Sequence, residues 1–334
     1  MTRYPLLATA ALAIVATTAS GQAPADTASK LAGFHTVTAR ASSTTLVGVN
    51  YVRPALATGI IDAKAANSLT DNDVNFATVL AGQSNLWIEV TSGANKGIAT
   101  SLSAVGQNAL TTEDDLSSLV EVGDTYVVRT AQTVATLFGA TNQAGLRTSN
   151  SPNSEGGADL VHIPDGNGGF RVVYYSAKKN GWREVGNSTA DASGIPVYHV
   201  DAIKVQRNQG SNLALRFAGL LRTSPTYFFA ATGIKTDVNT NYPSGSTLSN
   251  SGLKDYVQHG SETTGDLLWF QDSNGVWNQY YYADAAAPLT EGWKQVGQGD
   301  ADKGSTTFPS AFSIERRGAS GLLKMVPSPD YEGL

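Results

Sequence analysis

From about residue 34 onward the chain alternates apolar and polar positions in short runs, and helical periodicity is scarce. In Leu86-Trp87-Ile88-Glu89-Val90-Thr91 the residues Leu86, Ile88 and Val90 share one side of a two-residue period, which predicts a strand. Ser92-Gly93-Ala94-Asn95-Lys96-Gly97 then turns the chain. Gly123-Asp124 opens a tight turn into Thr125-Tyr126-Val127-Val128-Arg129, a second predicted strand. The same pattern predicts strands at 170–175, 203–206, 213–217 and 312–315, and single helical turns over 62–67 and 114–121. The pattern as a whole predicts an all-β chain.

The pattern also repeats. Asp159-Leu160-Val161-His162-Ile163-Pro164-Asp165 matches Asp266-Leu267-Leu268-Trp269-Phe270-Gln271-Asp272, an offset of 107 (266 − 159). At the same offset Tyr174-Tyr175 falls on Tyr281-Tyr282. Gly181-Trp182-Arg183-Glu184-Val185-Gly186 then matches Gly292-Trp293-Lys294-Gln295-Val296-Gly297, and Ala202 to Arg207 matches Ala311 to Arg316. Order is kept while the offset drifts by a few residues, as changes in loop length produce. The expected architecture is two tandem related barrel- or sandwich-like units, with a small inserted β-module in the first. The first unit is placed at 34–59 plus 132–211, the insertion at 60–131, the second unit at 212–327 and a tail at 328–334. Thr45 to Asn50 is assigned to the first unit as Thr226 to Ala230 is to the second.

A Tyr-Tyr strand, a loop, Gly-Trp-x-x-Val-Gly and a closing strand ending in Arg together resemble an uncharacterised family of secreted β-repeat proteins of the verrucomicrobial type. Thr91 to Gly97 and Gly123 to Tyr126 resemble that family as well. The resemblance implies a non-cytosolic β-protein and no particular activity.

The N-terminal end points the same way. Arg3 precedes an apolar run from Leu6 to Ala16, and Ala19-Ser20-Gly21 has the small residues of a cleavage site. Residues 1–21 are expected to be a signal peptide and 22–33 a polar leader, giving an exported chain, periplasmic, cell-surface or extracellular. The apolar run is too short to span a bilayer, which takes about 20 residues. The chain is therefore not expected to be membrane-spanning.

Composition narrows the chemistry. Charged residues are 15% of the chain and the net charge is −5, without the basic face of a nucleic-acid binder. There is no cysteine, which excludes disulfides and thiolate chemistry. The four histidines show no metal-ligand spacing, Gly-x-Ser-x-Gly does not occur, and the Gly-Gly pairs do not have phosphate-loop spacing. The acidic run Glu113-Asp114-Asp115 reads as a solvated turn. Asp165-Gly166-Asn167-Gly168 and Asp272-Ser273-Asn274-Gly275 have the look of a calcium-loop start, but a hairpin turn explains the same residues. No cofactor, metal or catalytic residue is expected.

The candidate ligand or interface residues are aromatic: Tyr174, Tyr175, Trp182, Tyr281, Tyr282 and Trp293. Neighbours in a strand face opposite ways, so one tyrosine of each pair is expected inside and one outside. The tryptophans either plug the end of each unit or present a ligand platform. The expected function is a structural or self-associating surface protein. A carbohydrate-binding or adhesion module, with a polysaccharide as partner, is the alternative, and an enzyme with an unrecognised cleft is a third reading.

Overall fold

The computed structural model describes residues 31–243, 245–285 and 289–331. The expected signal peptide and most of the leader lie outside them. Two α-helices, Phe76–Val79 and Val134–Phe138, are short; the fold is all-β. Among the described residues no helix is long and apolar enough to cross a membrane.

Two antiparallel sheets share one plan. The first runs edge to edge through Gly181–Glu184, Phe170–Ser176, Leu160–Pro164, Ala202–Gln206 and Thr44–Gly48. The second runs through Gly292–Gln295, Trp277–Ala283, Leu267–Gln271, Ala311–Glu315 and Lys235–Asn239. A two-stranded ribbon packs on each. Ala32–Ala39 pairs with Leu213–Leu220 and sets Leu215 and Phe217 against Val47, Val161, Ile203 and Val205 of the first sheet. Thr226–Ala230 pairs with Gly321–Met325 and sets Phe228 and Leu323 against Val238, Leu268, Phe312 and Ile314 of the second. Each such side chain contributes roughly 1.5–3 kcal/mol on burial, so alternation along the strands fixes which face turns inward.

The carboxylates of Asp159 and Asp266 are held in the same way. Asp159 pairs with Arg207 at 2.7 Å and accepts the backbone N–H groups of Arg147 and Asn208. Asp266 pairs with Arg316 and accepts those of Gln258 and Arg317.

Between these parts lies a seven-stranded sheet in the order Ala57–Ile60, Thr125–Thr130, Leu86–Val90, Ala99–Val105, Ala109–Thr112, Ser68–Thr70 and Ala63–Ala65. It forms a half-barrel around Phe76, Ile88, Leu110, Val120 and Val128. Its strands run from Ala57 to Thr130. Leu213–Leu220 lies beyond the expected boundary at 212 but pairs with Ala32–Ala39, so by pairing it goes with the first sheet.

Other expectations are corrected. Residues 62–67 form no helical turn: Ala63–Ala65 and Ser68–Thr70 pair across a two-residue turn closed by Asn67 at φ 53. The single turn expected over 114–121 is present, closed by Val120 N–H donating to Leu116 O at 3.1 Å, and it buries Leu116 and Val120. In the second sheet the place of Thr44–Gly48 is taken by Lys235–Asn239, not by Thr226–Ala230. In this register Val47, Asn50 and Tyr51 match Val238, Asn241 and Tyr242 at one offset, 191 (238 − 47).

The strands Thr44–Gly48 and Lys235–Asn239 bring the two five-stranded sheets together. Leu46 and Ala202 of the first pack with Ala311 and Trp277 of the second. A buried amide network completes the junction. Asn239 Nδ2 donates to Val49 O at 2.8 Å and His199 O at 2.9 Å, and Asn50 Nδ2 donates to Tyr242 O at 2.8 Å.

Candidate functional site: a cleft where three sheets meet

The half-barrel, the two five-stranded sheets and the Thr226–Ala230 ribbon line an open cleft of about 950 Å³. Alternation explains its apolar lining. In Thr226–Ala230, Phe228 enters the core, so Tyr227 and Phe229 take the other face. Tyr227 is covered by the half-barrel's core, while Phe229, opposite Leu322, stays 60% exposed in the cleft. Trp277 is half-buried on the second sheet, and Phe170 comes from the hairpin of the first.

Polar groups stand between the rings. The Lys204 ammonium meets the Asp237 carboxylate at 2.6 Å, and the Ser313 hydroxyl donates to the same carboxylate at 2.6 Å. On the half-barrel wall the Thr100 hydroxyl donates to Asp114 at 2.7 Å. Glu113-Asp114-Asp115 is an exposed bend, and Asp114 and Asp115 stand at the cleft.

His199 stacks on Trp87 with ring centroids 4.4 Å apart and planes 10° apart. Neither of its buried ring nitrogens has a hydrogen-bond partner among the described residues. Burial, then the charges of Arg222 and Arg129, hold its pKa well below the usual histidine value. The ring is therefore neutral at pH 7.

Asp201 accepts the Tyr198 backbone N–H at 2.9 Å and makes no ion pair among the described residues. Burial pushes its carboxyl up to about 7. The unfolded carboxyl titrates near 3.9, so between about pH 4 and pH 7 the folded state binds the extra proton. Stability is then expected to fall as pH rises through that window. Asp201→Asn removes the titration, and denaturant unfolding at several pH values is expected to show a flatter profile, with the variant gaining on wild type toward pH 7. A wild-type profile that rises from pH 4 to 7, unchanged in the variant, contradicts this assignment.

None of the six aromatic residues singled out from the sequence lines the cleft. Tyr174, Tyr175, Trp182, Tyr281, Tyr282 and Trp293 are all at most 8% exposed. The expected outward tyrosine of each pair is corrected. Tyr175 and Tyr282 pack edge-on against Trp182 and Trp293 in the two cores, at 5.5 and 5.4 Å. On the other face Tyr281 is covered by Leu289 and Val296, and Tyr174 is equally enclosed. The alternating strand has no free face here, because loops cover what the core leaves open.

The structure instead gathers Phe170, Lys204, Phe229, Lys235, Asp237 and Trp277, none of which the sequence pattern had marked. One signal was present: three consecutive aromatics, Tyr227-Phe228-Phe229, cannot all enter one core from a strand.

At the turns, Asp165 Oδ1 accepts the N–H groups of Asn167 and Gly169, and Asp272 Oδ1 those of Asn274 and Val276, as hairpin turns require. Elsewhere Asp62, Asp71 and Asp73 bring carboxylate oxygens within 4.8 Å of one another on the half-barrel. The oxygens of Asp71 already accept the Tyr126 hydroxyl and the Asp73 N–H.

No family model, no curated protein and no solved structure matches the chain.

Proposed function

We propose that this chain is an exported saccharide-binding protein whose ligand lies in the cleft between the three sheets. The observation that carries the reading is the alternation, along one open cleft, of ring faces with fixed hydrogen-bonding groups. Phe170, Phe229 and Trp277 bring rings to the cleft, those of Phe170 and Trp277 beside the Lys204 and Lys235 ammoniums, and Asp237, Ser313, Thr100 and Asp114 bring polar groups to the same lining. Sugar rings have the complementary pattern, apolar C–H faces edged by hydroxyls. Export is supported by the N-terminal sequence and by the resemblance to secreted β-repeat proteins. Self-association through sheet edges has weaker support. The outer strands Gly181–Glu184 and Gly292–Gln295 are four residues long and carry Arg183 and Lys294, features that oppose edge pairing.

Titration calorimetry of residues 22–334 against a panel of neutral and acidic oligosaccharides tests this. A binding ligand is expected, and Phe229→Ala, at an exposed position, should weaken it by roughly tenfold, about 1.4 kcal/mol. Absence of binding across the panel, or full affinity in the variant, counts against the cleft as the site.

A further inference from the structure

We infer that the saccharide is acidic and that Lys235 holds its carboxylate at the second-sheet wall of the cleft. This rests on the saccharide reading above.

Lys235 lies at one edge of the second sheet, beside the cleft's aromatic lining. Its ammonium sits over two indole rings, 3.7 Å from the centre of Trp269 and 4.8 Å from that of Trp277. The rings fix the position of the charge without neutralising it. The nearby carboxylates, Asp237 on the same strand and Glu315 on the neighbouring one, are already matched. Asp237 is held by Lys204 and the Ser313 hydroxyl, and Glu315, directly across the ladder from Lys235, is engaged by Arg317 at 3.5 Å. Lys235 makes no ion pair of its own among the described residues. Its pKa is lowered, by desolvation first and also by the charge of Lys204, against the opposing pull of Asp237 and Glu315. The result is a positioned cation on a cleft wall, beside a ring face, with no side-chain hydrogen bond among the described residues.

Lys204, the other cleft lysine, does not offer the same site, since its charge is matched by Asp237 at 2.6 Å. The half-barrel wall has the opposite sign, with Asp114 and Asp115. A ligand charged on every ring would therefore meet repulsion there. The fitting ligand is a uronate-containing oligosaccharide whose uronate ring stacks near Trp277 with its carboxylate at Lys235, and whose remaining rings are neutral. A zwitterionic or sulfated chain is less well matched, because Lys235 is a single point charge and not a cluster.

The test uses a tetrasaccharide with one uronate unit and its carboxyl-reduced counterpart, titrated into residues 22–334 at low salt. Wild type is expected to bind the uronate form at least about tenfold more tightly, as a charge-assisted hydrogen bond supplies, and to lose much of that margin at high salt. Lys235→Gln should abolish the difference between the two forms, and Lys235→Arg should keep it. Equal affinity of wild type for both forms overturns the inference and leaves the saccharide reading standing. A preference that survives in Lys235→Gln also overturns it. If neither form binds, the saccharide reading fails and the inference with it.

Discussion

Replacing Glu89 with alanine is expected to lower the stability of the fold by about 3–5 kcal/mol. Glu89 lies in Leu86–Val90, third of the seven strands in the half-barrel, with its carboxylate buried. Arg222 Nε donates to it at 3.0 Å, the Ser224 hydroxyl donates to it as well, and Arg129 Nε stands 3.9 Å away. Arg222 Nη1 donates to Thr226 Oγ1 and Nη2 to Gly97 O, each at 2.6 Å. One carboxylate thus serves two buried guanidinium groups, and removing it leaves both without an anion. Taking out one member of a buried charge group costs far more than the group contributes net, because the partners stay desolvated. The cost should appear in urea unfolding as a lower midpoint with an unchanged slope. Glu89→Gln, which keeps the shape and one acceptor, should fall between the two. A Glu89→Ala variant within about 1 kcal/mol of wild type would show that water reaches the arginines.

The second large effect concerns the paired tryptophans. Trp182→Ala and Trp293→Ala should each cost about 3–5 kcal/mol, since each empties an indole-sized space in a core. Truncation to phenylalanine separates the two sites. The Trp182 indole N–H donates to Gly139 O at 2.8 Å, whereas the Trp293 N–H is buried with no partner among the described residues. Trp182→Phe loses a buried hydrogen bond and strands a carbonyl, so it should cost about 1–3 kcal/mol more than Trp293→Phe, which removes an unsatisfied donor. Equal melting temperatures for the two phenylalanine variants would refute that difference.

These cores were legible in the sequence because their signals are local. Gly-Trp-x-x-Val-Gly marks a strand around its tryptophan in both halves, and the strands around Leu86, Thr125, Phe170 and Ala202 follow from alternation alone. The cleft was not legible, for a physical reason. Its rings come from positions 170, 229 and 277, and their exposure depends on which sheet faces are left uncovered. Alternation states that Tyr174 and Tyr175 point opposite ways, but not that both sides are roofed. The Glu89 site failed similarly. Glu89 is a single carboxylate in an apolar run, and its partner Arg222 lies 133 residues away. The matching Val47-Asn50-Tyr51 and Val238-Asn241-Tyr242 were within reach, but the residues between 47 and 238 obscured the register.

The ribbon over the first sheet bears on the order in which the chain assembles. Ala39 pairs with Leu213 and Ala32 with Leu220, separations of 174 (213 − 39) and 188 (220 − 32) residues, against 99 (325 − 226) for Thr226 and Met325. Closing so wide a loop is slow, and the contacts that reward it come last. The half-barrel and the hairpin of the first sheet have nearer partners and can form earlier. Until residue 213 is available, Ala32–Ala39 has no ladder to join, and Leu215 and Phe217 are missing from the core they complete. The N-terminal strand is therefore the latch of its own module, shut from the far side by a segment laid down more than 170 residues later.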